Sequence, residues 1–413
     1  MSVVVLLGTM DTKGPEYDFM AECVRSVGAT PYLVDVGVLG EPTVNPDTTA
    51  AEVARAAGVS LKSLRKGREG SDTRAVALET MQRGAQVVIN RLLEEGRCDA
   101  VLGAGGSGGS SLISGVFREL PLGLPKILVS TVAGHNAAEY MGTRDIFLLN
   151  PITDIAGLNR VSRQVLGNAA RAAAGAAARP KEVPRAERPL IALSMFGVTT
   201  PGVLATKRRL EDAGFETIVF HAVGTGGRAL EEMVSEGLID GVVELTVSEL
   251  TDEYLGGVFS AGPDRLQAAG RRGIPQVVVP GAIEVLNFGP RDTVPAGFDS
   301  PERRLIVHNP YVSAVRTTRE EAVELARILA RKVNAATGPV RVLLPLRGFD
   351  SYQQEPDGPY IDRDSDDAFL SELRHRLDPK ISCKDCDCNI NDAQFADEVF
   401  ESFMSAWRAR AGA

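Results

Sequence analysis

Residues 101–111 read Val-Leu-Gly-Ala-Gly-Gly-Ser-Gly-Gly-Ser-Ser, five glycines and three serines that follow the apolar run Asp99-Ala-Val-Leu102. The run reads as a short buried strand, and Ser110 to Leu120 can form a helix. A strand, a glycine-rich turn and a helix start make an anion cradle. Glycine lets backbone N–H groups approach a phosphate, and the helix N-terminus adds partial positive charge. The loop is therefore expected to bind a phosphate or carboxylate through Gly105, Gly106, Ser107, Gly108, Gly109 and Ser110. The competing reading is a tight turn that only lets a helix pack on a sheet. Gly103-Ala-Gly105-Gly-Ser-Gly108 fits G-x-G-x-x-G, but no acidic residue follows at 122–130 as a dinucleotide site requires. No Lys follows Gly109, as a P-loop requires.

Outward from this loop the chain alternates strand and helix. Strands are expected at residues 3–7, 30–36, 100–102 and 126–130, with helices at 16–27 and 78–95. The composition then shifts to an alanine-rich helix from Asn168 and a charged, proline-punctuated linker at 180–189. A strand at 190–194 restarts the pattern, followed by a helix at 203–213 and strands at 216–221, 241–245, 274–279 and 304–308. Such alternation implies parallel strands joined by helical crossovers. The expected fold is α/β, with two Rossmann-like domains at 1–180 and 190–413, mainly parallel sheets and helices on both faces. The restart reads as a repeat at the level of the fold.

A chain of 413 residues is too long for one ordinary core. Its 44% hydrophobic and 24% charged composition is that of a globular protein, and its net charge of −9 argues against nucleic acid as a partner. No apolar run is long enough to span a bilayer. The opening Met-Ser-Val-Val-Val-Leu-Leu-Gly reads as a first strand rather than a signal peptide, and the cytoplasm is expected. Five cysteines make no secreted disulfide framework. Cys383-Lys-Asp-Cys386-Asp-Cys388 has three clustered thiols that can be a metal site, redox-sensitive thiols or an incidental cluster.

Gly8-Thr-Met-Asp-Thr-Lys-Gly14 follows the first strand, at the edge where open parallel sheets bind ligands. Thr9 and Thr12 offer hydroxyls, Asp11 a carboxylate for Mg2+-bound water or a ribose, and Lys13 a charge for phosphate. The alternative is a helix start capped by Asp11 or Thr12. Ser130, Thr131 and Gly134 follow another strand and are expected at the same edge. His135 reads as a polar loop residue, and Asp154 as a ligand contact or a helix cap. In the second half, Gly224-Thr-Gly226-Gly227-Arg228 resembles an anion loop, with Arg228 able to grip a carboxylate or phosphate. Glu249, Glu284 and His308, with His221, follow strands and can supply acid–base or metal-binding chemistry or remain structural. In the tail, Phe395, Val399, Phe403 and Trp407 form one apolar stripe, for the core or for a second copy of the chain.

Seven motifs, taken together, carry a resemblance. They are Gly8–Gly14, Gly105–Ser110, Asp154-Ile-Ala-Gly-Leu-Asn159, Gly256-Gly-Val-Phe-Ser-Ala-Gly-Pro-Asp-Arg265, Val307-His-Asn-Pro310, Val342-Leu-Leu-Pro-Leu-Arg-Gly348 and Ile390-Asn-Asp392. In this order they resemble the Tm-1-like ATP-binding family, also called uncharacterised protein family UPF0261, over nearly the whole chain. The resemblance implies ATP binding, two Rossmann-like subdomains and a homo-oligomer, without a settled reaction. The expected ligands are ATP with Mg2+ in the first half and a small anionic metabolite in a cleft between the halves. The alternatives are a non-catalytic nucleotide-binding regulatory or interaction protein, as a plant virus-resistance member suggests, or a nucleotide-independent enzyme acting on a sugar acid or oxo acid.

Overall fold

The computed structural model describes residues 1–66, 71–132, 134, 136–178, 188–300, 303–355 and 357–410, without the side chains of 66 and 71–73. His135 and most of the expected linker lie outside the described residues. The chain divides into two compact units, Met1–Val183 and Pro184–Ala413.

In the first unit the elements run β1 Val3–Gly8, α1 Met10–Ser26, β2 Thr30–Asp35, α2 Ala50–Ala56, α3 Leu61–Lys66, α4 Ser71–Glu94, β3 Ala100–Gly105, α5 Ser107–Arg118, β4 Lys126–Ser130, α6 Ala137–Met141, β5 Ile146–Leu149 and α7 Arg160–Ala177. The five strands pair in parallel in the order β2-β1-β3-β4-β5. This is the doubly wound order 2-1-3-4-5 rather than the 3-2-1-4-5-6 of dinucleotide-binding folds. Strands buried on both faces need continuous apolar runs, and the alternation of side chains sorts them. Val4 and Leu6 meet Met10, Tyr17 and Met20 of α1 and the alanines of α7. Val5 and Leu7 meet α2, α4 and α5 on the opposite face. Asn159 caps α7 by accepting from the N–H groups of Val161 and Ser162. Asp154 instead accepts from its neighbour Ile155.

The second unit runs β6 Leu190–Met195, α8 Thr200–Asp212, β7 Glu216–His221, α9 Thr225–Ser235, β8 Gly241–Glu244, α10 Glu249–Leu255, α11 Ala268–Arg272, β9 Gln276–Val278, β10 Val285–Phe288, β11 Ile306–Asn309, β12 Val312–Arg316, α12 Arg319–Asn334, β13 Val340–Pro345, α13 Arg363–Arg376, β14 Ser382–Cys386 and α14 Ala393–Arg410. Its main sheet is parallel, in the order β7-β6-β8-β9-β13-β14. The first five strands of this sheet repeat the winding of the first unit. One expectation fails. The segment at 304–308 is not a strand of the parallel sheet. Pro310 and Tyr311 turn β11 tightly into β12, and a turn that short permits only antiparallel pairing. The sheet β10-β12-β11 is therefore a separate insertion. The tail stripe packs inward: Phe395, Val399 and Phe403 are fully buried, and Trp407 meets Phe215 edge-on at 5.1 Å. Cys386 and Cys388 belong to the same core, and burial pushes the Cys386 thiol up to about 11. These two thiols are therefore poor nucleophiles at neutral pH.

Tyr17 ties the neighbouring strands β1 and β3 of the first unit. Its hydroxyl donates to Leu7 O at 2.6 Å and accepts from Ala104 N at 2.8 Å. Tyr17→Phe leaves these buried groups unpaired and is expected to cost about 1–3 kcal/mol. Urea denaturation of the full chain checks this.

Candidate functional site

In the first unit α1 leaves β1 on one face of the sheet and α5 leaves β3 on the other. Adjacent strands wound in this way leave a crevice at their carboxyl ends. A cavity of about 740 Å³ lies there. It brings together eight of the expected residues: Thr9, Asp11, Thr12, Lys13, Gly106, Ser107, Gly108 and Gly109. Sequence reading missed an apolar wall formed by Val36, Val38 and Leu39 after β2 and by Ala77 and Leu78 on α4, and it missed Arg74. The wall had a legible signal, since the end of β2 lies at the same edge. Arg74 had none within its polar helical stretch.

Gly106 is the N-cap of α5 and supplies no side-chain hydrogen bond. Ser110 N donates to Gly106 O at 2.8 Å, which leaves the N–H groups of Ser107, Gly108 and Gly109 in the uncapped first turn. Pro15 has no N–H for the Asp11 carbonyl, and the chain leaves helical geometry at Lys13 (φ −132°, ψ 25°). The Lys13 ammonium donates to Ile155 O. Two of its three N–H donors remain for other partners. Asp11 caps nothing. Its Oδ2 accepts from Leu39 N at 2.6 Å and Gly40 N at 3.1 Å, and its buried Oδ1 has no partner among the described residues. The Thr9 and Thr12 hydroxyls lie 2.9 Å apart.

The glycines divide into two groups. A Cβ at Gly8 would fall 1.9 Å from Tyr17 Oη, and one at Gly105 would fall 3.0 Å from the backbone of Gly109 and Ser110. These two end their strands and permit close packing. A Cβ at Gly106 meets only Thr131 Oγ1 at 3.8 Å, one at Gly108 meets the Arg74 guanidinium at 3.3 Å, and one at Gly109 meets nothing within 4 Å. Packing does not demand glycine at these three positions. Ser110 and Ser130 bond to each other at 2.7 Å, and Ser110 Oγ also donates to Gly105 O. They fasten the ends of β3 and β4 together. Neither they nor Thr131 and Gly134 line the cavity.

The second unit distributes its expected residues differently. Gly224 N and Gly227 N donate to Glu249 Oε1 at 2.7 and 3.1 Å, so the glycine loop already holds an internal anion. A Cβ at Gly226 would lie 1.9 Å from His221 O, so this glycine serves close packing. Glu249 is fully buried, and its Oε2 meets Arg265 Nε at 2.6 Å. Arg265, also fully buried, forks onto both oxygens of Glu244 at 2.6 and 2.7 Å and reaches Glu231 at 3.2 Å. Burial alone would lower the Arg265 pKa, but the carboxylates around it hold it well above its ordinary value. Arg228 donates to Ser260 O. His308 sits on β11, inside the inserted sheet, with Nδ1 3.1 Å from Tyr352 Oη.

Glu284 follows β9 and Asp350 follows β13, at the carboxyl edge of the parallel sheet. Glu284 is 3% exposed, and neither of its carboxyl oxygens has a hydrogen-bond partner among the described residues. Asp350 Oδ1 accepts from Tyr352 N at 2.8 Å, while its Oδ2 has no such partner. Burial, reinforced by Asp350, pushes Glu284 well above the carboxylate range despite Arg316 nearby. Burial raises Asp350 to about 7.

Residues 2–182 match the N-terminal domain model of uncharacterised protein family UPF0261, and residues 188–407 match its C-terminal domain model. The chain belongs to the UPF0261 family. A UPF0261 protein of Clostridium tetani is 39% identical over 95% of this chain and 96% of its own length. A UPF0261 protein of Rhizobium meliloti is 39% identical over 98% of both chains. The ToMV resistance protein Tm-1(GCR237) of Solanum lycopersicum is 36% identical over 97% of this chain, which spans 55% of that longer protein. Among the described residues, no helix of this UPF0261 chain is long and apolar enough to cross a membrane.

Glu284 and Asp350 make stability depend on pH. Both pKa values are raised by folding, so the native state holds protons that the unfolded chain releases. Their contribution is full below the unfolded values near pH ~4 and is lost as pH rises through the folded values. Glu284→Gln is therefore expected to raise the melting temperature at pH 8, to change it little at pH 4, and to flatten the profile between them. Thermal melts across this range check it.

Proposed function

We propose that the crevice of the first unit binds ATP, or a related nucleotide, with Mg2+. The observation that carries this reading is the convergence, on one cavity of about 740 Å³, of an uncapped glycine-rich helix start with Lys13 and Arg74. Backbone N–H groups and two cations suit a polyphosphate. The apolar wall of Val36, Val38 and Leu78 suits a base. The buried, unpartnered Asp11 Oδ1 suits Mg2+-bound water or a ribose hydroxyl. The size lies within the range of small-molecule sites. The family resemblance points the same way and adds self-association. On this reading the nucleotide supports action on a small anionic metabolite. The name of the tomato relative, a resistance protein, favours a second reading in which nucleotide binding serves an interaction rather than turnover. ATP consumption in the presence of a metabolite library separates the two.

Gly106→Val and Gly108→Val place side chains where packing leaves room and the ligand would sit. Each is expected to abolish measurable ATP–Mg2+ binding in calorimetry with the circular dichroism spectrum unchanged. Lys13→Ala should weaken ATP about 10- to 100-fold and adenosine little. Asp11→Asn should reduce the Mg2+ dependence. Wild-type affinity in all four variants overturns the reading.

A further inference from the structure

A second cavity, of about 300 Å³, opens in the second unit where β12 passes into α12, beside the first turn of α13. Three arginines line it, Arg304, Arg316 and Arg319, against two carboxylates, Asp362 and Asp364. Asp362 is engaged by its own helix, accepting from Ser365 N at 3.2 Å and Ser365 Oγ at 2.9 Å. Arg316 and Thr317 also line the cavity and are each only 3% exposed. Arg316 Nη2 meets Asp366 at 2.7 Å and the Asp362 carbonyl at 3.2 Å, while its Nε has no partner among the described residues. Thr317 Oγ1 has none either. Arg304 holds a left-handed backbone conformation, φ 46°, that is uncommon for a side chain of its kind. Buried donors without acceptors are destabilising, and an oxyanion bound here would offer acceptors to the lining side chains; Arg304 already donates one N–H to Ile361 O.

The geometry points to this cavity as the site of a small oxyanion, the phosphate monoester or carboxylate group of a compact metabolite. Guanidinium groups recognise both by charge-assisted hydrogen bonds. A volume of about 300 Å³ sits at the lower end of ligand sites and suits a compact metabolite better than a nucleotide. The site deepens the proposed function by placing its anionic metabolite at Arg304, Arg316 and Arg319, where the glycine loop before Arg228 already holds Glu249. It stands whether or not the first unit takes ATP.

The test is calorimetric titration of the full chain, in the Gly108→Val background, with inorganic phosphate and separately with malonate. Saturable binding of at least one anion is expected. Arg319→Ala should weaken it about ten-fold or more, Thr317→Val should weaken it measurably, and Asp364→Asn should tighten it. Tighter phosphate identifies a phosphate monoester as the source, and tighter malonate a carboxylate. No saturable binding of either anion, or binding that Arg319→Ala and Thr317→Val leave unchanged in folded protein, overturns the proposal. Anion binding that is present in the wild-type background and lost with Gly108→Val assigns it to the first unit, which overturns this site and leaves the nucleotide reading intact. The Lys13→Ala comparison with ATP reports on that reading separately.

Discussion

Both units depend on one constraint of parallel sheets. When the chain winds one way from its first strand and then the other way from the third, the helices after these neighbouring strands lie on opposite faces, and their carboxyl ends part. The first unit leaves that crevice open, between Thr9–Lys13 and Gly106–Gly109. The second unit closes its own. Thr199 and Thr246, both fully buried, join by their hydroxyls at 2.7 Å, and Ser194 Oγ accepts from Thr246 N at 3.0 Å. One winding thus leaves an open cavity in the first unit, while in the second unit three hydroxyl side chains bridge the ends of the corresponding strands.

Buried charge shapes the second unit in the same way. Arg265 and the three carboxylates around it, Glu231, Glu244 and Glu249, are largely removed from water, which is tolerable only because each carboxylate also accepts backbone or guanidinium N–H groups. Glu231 takes the N–H groups of Leu266, Gln267 and Ala268, and Glu249 takes those of Gly224 and Gly227. The protein's own carboxylates therefore fill the helix-start positions that, in the first unit, face a cavity. Glu284 and Asp350 differ: both are buried, but neither oxygen of Glu284 and only one of Asp350 finds a donor among the described residues. Groups of this kind destabilise the fold at neutral pH, and such strain gathers at functional sites.

Much of the first site was legible because its chemistry is local. Gly106 to Gly109 and Thr9 to Lys13 are each contiguous, and each follows an apolar run that could only be a buried strand. Arg74 reaches the site from a helix remote in sequence, and no local pattern marks it. Gly8 and Gly105 look like their neighbours in composition, yet a Cβ at either meets protein rather than open space. Ser110 and Ser130, polar residues in glycine-rich surroundings, prove to be each other's partners.

The sequence by itself determined the α/β class, the two rounds of strand–helix alternation and the apolar stripe of α14, though not what covers that stripe, because hydrophobic period and burial are coupled residue by residue. It also determined which loops carry glycine, hydroxyl and charge. Only the tertiary structure decided the strand order, the antiparallel insertion that removes His308 from the main sheet, and which polar residues face a cavity. Hydrogen-bond partners such as Glu249 with Gly224, or Arg265 with Glu244, are far apart along the chain, and their pairing follows from packing rather than from local pattern. A glycine loop and a buried acid therefore read alike in both units until the fold shows which of them already has its partner.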